Sequence, residues 1–525
     1  MRWTNSLQPF VAYPIRALWP LVALTALGLI SASPARAQTP TTIYRFCLSH
    51  DAACPNGNTP NALIQATDGN LYGTTLQGGI GGYGCDGFSD VGCGTAFKIT
   101  PSGSLTTLHR FCLTKTCPDG IYPSSLVQAT NGDFYGTTEW GTGGTACAIA
   151  IGCGAVFKLT PGGELTTLHT FCSQPNCADG SNPVAGLILA SNGDLYGTTG
   201  GGGVNSDGTV FKMTPSGTLT TIYSFCSQPN CADGIGPGAA LVQASNGDFY
   251  GTTETGGTNN KGTVFKLTPG GPLTTLYSFC SQPACADGSY PVTPLVQATN
   301  GDLYGMTMEG GLNGNVACPS SIVYTGCGTV FKLTPGGELT TIYSFCSQPN
   351  CADGSVPSAG LIQATNGDLY GTTPLGAKGS GTLFSLSPDG QLTTLYSFNA
   401  RSGSDSSDPV TPLIQATSGS LYGTTERGAI GSSIDGTVFS LNLGLGPFVA
   451  LQTISGQVGE RVTILGTDLT DASSVTFNGT PATFTVNSTG SAITATVPAG
   501  ATTGTVEVTT PSGTLDSNKP FHVIS

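Results

Sequence analysis

The chain has 525 residues, a formal net charge of −13 and only 9% charged residues, set against 77 glycines and 34 prolines. That balance excludes a nucleic-acid or anionic-membrane partner, because either needs clustered Lys and Arg to displace counterions. So much glycine with so little charge is the profile of short strands and turns rather than of helices.

In chain order, Arg2 and Arg16 precede an apolar run at 17–32, and Ala35-Arg36-Ala37 follows it. A charged segment, an apolar segment and an A-x-A site predict a cleaved signal peptide over 1–37. A retained membrane anchor fits less well, since the run is short for a span and Pro20 interrupts it. Loss of Arg2, Arg16 and Arg36 takes the net charge from −13 to −16. The mature chain is then expected outside the cytoplasm, with no transmembrane segment.

The 18 cysteines agree with that compartment. They fall into neighbouring couples: Cys47 with Cys54, Cys85 with Cys93, Cys112 with Cys117, Cys147 with Cys153, Cys172 with Cys177, Cys226 with Cys231, Cys280 with Cys285, Cys318 with Cys327, and Cys346 with Cys351. An even count behind a secretory signal predicts disulfides. Thiolate zinc is the competing reading, but the couples are not in the two-plus-two clusters that close a tetrahedral site. Each six-residue closure removes about 2 kcal/mol of unfolded-chain entropy, so the couples are predicted to be local loop staples. The phrase FCSQPNCADG, which carries several of them, recurs word for word at 171–180, 225–234 and 345–354.

A second repeat sets the architecture. Tyr-Gly-Thr-Thr or a close variant begins at Tyr72, Tyr135, Tyr196, Tyr250, Tyr304, Tyr370 and Tyr422. Around each copy stand four phrases, seen at 239–279 as AALVQAS, DFYGTT, GTVFKL and LTTLYSF. Asn-Gly joins the first two and Pro-Gly-Gly the last two, so each unit is predicted to be a four-stranded antiparallel meander with tight hairpins. A four-stranded unit of this length matches a propeller blade rather than a solenoid coil. The array begins on a fourth phrase, TTIYRF at 41–46, and ends on a third, GTVFSL at 436–441. The expected fold is therefore all-β: a seven-bladed β-propeller over 38–446, closed by an N-terminal strand that completes the last blade. Closure leaves no long sheet edge to pair with other chains. The copies that carry an extra cysteine couple after Tyr-Gly-Thr-Thr, at 85 and 93, 147 and 153, and 318 and 327, are also the longest.

Beyond 442–447 the phrases change and cysteine disappears. Short alternating stretches with Gly, Pro and Asn turns predict a small immunoglobulin-like β-sandwich over 447–525. GERVTILGTDL, VTFNGTPATF and ITATVPAGATTGTVEVTTPSG resemble an IPT/TIG domain, which implies a spacer or interaction module without catalytic residues of its own. The repeats, with DLYGTT, GTVFKLTPGGELTTLYSF and DGSxPxAGLIQATNG, resemble the GloVer tandem repeat of the choice-of-anchor group of bacterial proteins. That resemblance implies a secreted or surface propeller of unknown activity. The chain departs from the group at its C-terminus, where the IPT/TIG-like module stands in place of a hydrophobic sorting helix with a basic tail.

Few residues break the repeat in a way that suggests chemistry. Carboxylates follow the second strand at Glu139, Glu254 and Glu426, with Glu309 one step further on. A glycosidase needs two such acids a few ångströms apart, whereas the plain expectation is loop glutamates facing water. His109 and His169 occupy the column held by Tyr223, Tyr277, Tyr343 and Tyr396 in other copies, so they are expected to be structural, while His50 and His522 lie outside it. Asp179, Asp233, Asp287 and Asp353 recur in Cys-Ala-Asp-Gly. One calcium per blade would need six to eight oxygens, and a side chain capping its own turn is the simpler reading. A lectin would stack sugar on aromatic rings, yet Trp140 is the one tryptophan left after the leader, and the repeated Tyr and Phe sit in strands. The expectation is a non-catalytic binding protein without cofactor or metal, whose extracellular ligand is a carbohydrate or protein. The alternative is a polysaccharide-active enzyme using the loop glutamates.

Overall fold

The computed structural model describes residues 39–47, 54–79, 92–142, 152–312, 318, 325–376, 379–399, 407–428 and 436–524. The expected leader, His50, Cys85 and Cys147 lie outside these residues.

Each repeat folds as one antiparallel sheet. In the fourth, Val242–Gln243, Phe249–Thr253, Thr263–Leu267 and Leu273–Ser278 pair in chain order. The second strands of sheets 1 to 7 are Leu71–Gln77, Phe134–Trp140, Leu195–Thr199, Phe249–Thr253, Leu303–Thr307, Leu369–Thr373 and Leu421–Thr425. Sheets 1 and 2 count five strands because the first strand is interrupted, Asn58–Pro60 and Ile64–Gln65 both pairing with Leu71–Gln77. The glycine of Tyr-Gly-Thr-Thr has a steric cause. A Cβ on Gly251 would lie 2.5 Å from the Phe265 ring and 2.9 Å from Leu241.

The first hairpins are looser than Asn-Gly implies. Ala244 N donates to Asp248 O at 2.9 Å and Gly247 N to Ala244 O at 2.9 Å, enclosing three residues. A two-residue turn needs positive φ at both Asn and Gly, but here only Gly247, at +86°, has it. Asn246 instead donates to Tyr250 Oη at 3.1 Å and, through Oδ1, accepts from Asp248 N at 3.0 Å.

Three sets of contacts run from each sheet to the next, and each set also joins sheet 7 to sheet 1. The phenylalanine ending every fourth strand meets the third-strand phenylalanine of the following sheet. The pairs are Phe111–Phe157, Phe171–Phe211, Phe225–Phe265, Phe279–Phe331, Phe345–Phe384 and Phe398–Phe439, and Phe46–Phe97 closes the cycle, with centroids 5.1 to 5.8 Å apart. First-strand glutamines form the second set: Gln128, Gln243, Gln297, Gln363 and Gln415 each accept from a backbone N–H of the preceding sheet, and Gln65 accepts from Thr417 N at 2.9 Å. The third set is buried threonines donating to carbonyls of the segment that leads into the next sheet's first strand: Thr74, Thr137, Thr198, Thr252 and Thr372, with Thr424 reaching Pro60 O and Asn61 O at 3.3 Å. Leu189 replaces the glutamine in sheet 3, and Met306 the threonine in sheet 5. Closure depends on the strand Thr41–Arg45, which pairs antiparallel with Thr437–Leu441, Arg45 opposite Thr437. Phe46 is fully buried beside Leu63, Phe97, Tyr422 and Val438, a cluster drawn from sheets 1 and 7.

Residues 450–524 form two four-stranded sheets and a parallel pair, Ser455–Gln457 with His522–Ile524. Val462, Ile464 and Ile493 of one sheet share a core with Val475, Phe477, Val506 and Val508 of the other.

Two tests follow from these contacts. Deleting residues 41–47 exposes the edge of Thr437–Leu441 and the Phe97 pocket, so cooperative melting should be lost; a truncated chain that melts like the parent contradicts closure. Within the sheets, the last threonine of Tyr-Gly-Thr-Thr pairs with a third-strand threonine, as Thr253 with Thr263 at 2.9 Å. In sheet 2 the partner position is Ala155, and Thr138 Oγ1 is buried without a hydrogen bond. Ala155→Thr should therefore stabilise by about 1 kcal/mol in urea unfolding, and a destabilised variant would show that the site has no room for the hydroxyl.

Candidate binding face

All fourth strands but that of sheet 6 cross to the next sheet through a cysteine loop, and one further bridge, Cys318–Cys327, lies between the second and third strands of sheet 5. Cys47 is disulfide-bonded to Cys54, Cys112 to Cys117, Cys172 to Cys177, Cys226 to Cys231, Cys280 to Cys285, Cys318 to Cys327 and Cys346 to Cys351. Cys93 and Cys153 are also disulfide-bonded. Sulfurs engaged this way supply no thiolate for zinc.

Inside each loop a buried carboxylate locks the backbone. Asp233 is fully buried, and its Oδ2 accepts from Tyr223 Oη at 2.8 Å, Ser227 N at 2.9 Å and Ser227 Oγ at 3.0 Å, while Oδ1 accepts from Gln228 N at 3.2 Å. Asp287 and Asp353 repeat this arrangement with Tyr277 and Tyr343. Burial, with the Asp287 carboxylate beside it, pushes the Tyr277 hydroxyl up to about 12, so it remains a proton donor. His109 and His169 stand in the tyrosine's place, 2.8 Å from Asp119 and 3.0 Å from Asp179. Burial would raise the Asp179 carboxyl, but hydrogen bonds from His169, Ser173 and the Gln174 amide outweigh it and hold it below its usual range. These aspartates are engaged as loop locks, leaving little free for calcium.

Where the chain enters each sheet, immediately before a proline, lies one residue with left-handed backbone: Thr59 (52°), Tyr122 (56°), Asn182 (57°), Gly236 (63°), Tyr290 (56°), Val356 (54°) and Asp408 (57°). A side chain there costs roughly 1–2 kcal/mol, and a following proline disfavours helical φ/ψ at the residue before it. Backbone bonds on both sides impose it nonetheless. Tyr290 N donates to Lys261 O of the preceding sheet at 3.0 Å, and Met308 N donates to Tyr290 O at 3.0 Å. Asp408 is held likewise, its N donating to Ser380 O at 3.2 Å and its O accepting from Glu426 N at 3.0 Å. Glycine is the easy residue for this conformation, yet it occurs only in sheet 3's successor, as Gly236. The neighbouring column, first after Tyr-Gly-Thr-Thr, varies equally: Leu76, Glu139, Gly200, Glu254, Met308, Pro374 and Glu426. In a chain that otherwise repeats itself nearly word for word, variable side chains gather where backbone bonds to neighbouring segments hold a left-handed residue.

The glutamates follow the water-facing expectation only in part. Glu254 is exposed, but Glu309 is buried and Glu139 and Glu426 are half-buried. Burial pushes the Glu139 carboxyl up, against a hydrogen bond from Trp140. Burial also raises Glu309, with Lys261 and Thr325 offsetting part of the effect. Burial raises Glu426, Arg427 opposes it, and the Asp408 carboxylate adds to it. The structure thus assembles two groups that the sequence did not single out. Lys261 Nζ lies 3.1 Å from Tyr290 Oη and 4.4 Å from its ring centroid, close enough to Glu309 to lower its carboxyl. Arg427 Nε lies 3.2 Å from Asp408 beside Glu426. The variable residue before the proline that leads into each repeat was the signal that could have found them. Desolvated carboxylates, phenols and cations together can exchange hydrogen bonds with hydroxyls and present ring faces for stacking.

A raised carboxyl binds its proton more tightly folded than unfolded, so stability is full below the unfolded value and falls as pH rises through the folded one. Glu139→Gln and Glu426→Gln should therefore raise the melting temperature at pH 7, with the gain vanishing as pH drops below the ordinary glutamate range. A lower melting temperature at pH 7 would show that these carboxylates support the fold.

The model of the Gloeobacter/Verrucomicrobia repeat matches residues 33–228, 86–319 and 320–513. No curated protein matches the chain. Among solved structures, a fungal alcohol oxidase of the AA5 family in complex with copper is 13% identical, with a TM-score of 0.50, over 93% of this chain and 100% of its own. A protein described as a putative gluconolactonase is 12% identical, with a TM-score of 0.33, over 77% and 99% respectively. At such identities the likeness to the oxidase speaks for fold alone.

Proposed function

We propose, from the premise that the chain belongs to the Gloeobacter/Verrucomicrobia repeat family, that it is a non-catalytic binding protein of the cell exterior. In this reading residues 38–446 are a seven-bladed propeller, residues 447–525 an IPT/TIG-like immunoglobulin module, and 1–37 a leader removed on export. The cyclic contacts between sheets and the pairing of Thr41–Arg45 with Thr437–Leu441 support the propeller. Disulfides, which persist in oxidising compartments, support export, and no helix among the described residues is long and apolar enough to cross a membrane.

One observation carries the binding role: structurally equivalent left-handed positions before the recurring proline, several of them held by backbone bonds beyond a locked loop, display different side chains. Rigid scaffolds with variable loop residues are how binding surfaces are built. Tyr122, Asn182, Tyr290 and Asp408, with Glu139, Glu309 and Glu426, suit a polyhydroxylated ligand, a glycan or cell-wall polymer. A second reading, a polysaccharide-active enzyme, draws on Asp408 and Glu426, neighbouring carboxyl groups that burial raises, since glycoside cleavage uses two carboxyl groups.

A binding screen of the oxidised chain against plant, microbial and cell-wall polysaccharides separates the readings. Saturable binding without product, weakened at least tenfold by Tyr122→Ala or Tyr290→Ala, is the expected result. Release of reducing ends that Glu426→Gln abolishes would establish the enzyme instead, and neither binding nor turnover would remove both.

A further inference from the structure

The end of the sheets opposite the cysteine loops carries the first hairpins, and the C-terminal sheets dock there unevenly. Asn487 Nδ2 and Ser491 Oγ donate to Thr67 O at 2.8 and 2.6 Å, Thr417 Oγ1 lies 2.8 Å from Thr467 Oγ1, and Phe448 N donates to Thr417 O at 3.0 Å. These contacts fasten sheets 1 and 7. Along sheets 3 to 5 two cavities remain instead, of about 330 and 220 Å³. The larger is walled by Ile188, Leu189, Leu241, Val242, Leu451 and Ile454. It opens at sheet 3, where Leu189 replaces the glutamine that the other sheets use in the inter-sheet set.

The lining mixes apolar with polar side chains, with Lys519 its one cation. Lys519 lines both cavities, and no described carboxylate forms an ion pair with it. Its side chain keeps some contact with solvent, yet desolvation lowers its amine below the usual lysine range. A desolvated cation costs free energy until a partner arrives.

We infer that the cavity between the first hairpins of sheets 3 to 5 and the C-terminal sheets binds a small organic carboxylate with an apolar body. Its carboxylate would meet the Lys519 ammonium and its body the Leu189–Leu241–Ile454 wall. Gln243, Asn518 and His522 edge the two cavities, and burial lowers His522, so it adds little positive charge at neutral pH.

The test uses the full oxidised chain and two probes: 4-hydroxybenzoate, and phenol, which lacks the carboxylate. Calorimetry at pH 7 should show 4-hydroxybenzoate binding at least tenfold more tightly than phenol, and Lys519→Met should remove that preference. In the wild-type chain 4-hydroxybenzoate should also slow acetylation of Lys519 relative to other lysines, read by peptide mass, which keeps the test decisive should the variant fail to fold. Equal affinity for phenol, a preference that survives Lys519→Met, or unchanged acetylation would each overturn the assignment. Mutations on the cysteine-loop face leave this outcome unaffected, so the two ligand sites stand or fall separately.

Discussion

The edge-on meeting of two phenylalanines, one ending a fourth strand and the other within the next sheet's third strand, is the contact on which the rest of the molecule depends. Each pair adds about 0.5–1.5 kcal/mol beyond the apolar area it buries, but its larger effect is geometric. It fixes how one sheet sits on the next, and that brings the first-strand glutamines and the buried threonines into register with their neighbours. Phe46 makes the same contact with Phe97, although it belongs to a strand separated in sequence from the sheet it completes. The cycle therefore closes with the chemistry of its other joints.

The three sets of contacts are redundant, which explains why the repeat tolerates exceptions. Leu189 breaks the glutamine set in sheet 3 and Met306 the threonine set in sheet 5, while Ala155 breaks a pairing inside sheet 2. No two of these fall in one sheet, and the phenylalanine pairs are complete. With the frame held by redundancy, the residues before the recurring proline need not serve stability. Several work against it, through left-handed backbone or desolvated carboxylates. Stability is given up in this way at equivalent positions of the repeat.

Much of the fold was legible because a period repeated along the chain reports its own architecture: the four phrases, the fourth phrase standing first and the third standing last all follow from strand alternation and turn residues. The family, too, could be read from those phrases. What escaped had physical reasons. Asn-Gly signals a two-residue turn, but Asn246 spends its side chain on Tyr250 and Asp248, so the turn widens. A residue before proline reads as extended, and only backbone bonds from two neighbouring strands, invisible along one repeat, place Tyr290 and Asp408 in the left-handed region. The burial of Glu139 and Glu309 and the seating of Lys519 depend on which sheets become neighbours, and that is set by closure rather than by local pattern.

Closure itself is most directly tested by comparing Phe46→Ala with Phe279→Ala in equilibrium denaturation. If the N-terminal strand completes the cycle, both lose an equivalent buried ring contact, and each should cost about 3–5 kcal/mol with a single cooperative transition. A Phe46→Ala protein as stable as its parent, beside a strongly weakened Phe279→Ala, would mean that the cycle is open and that the N-terminal strand is an ornament on the last sheet.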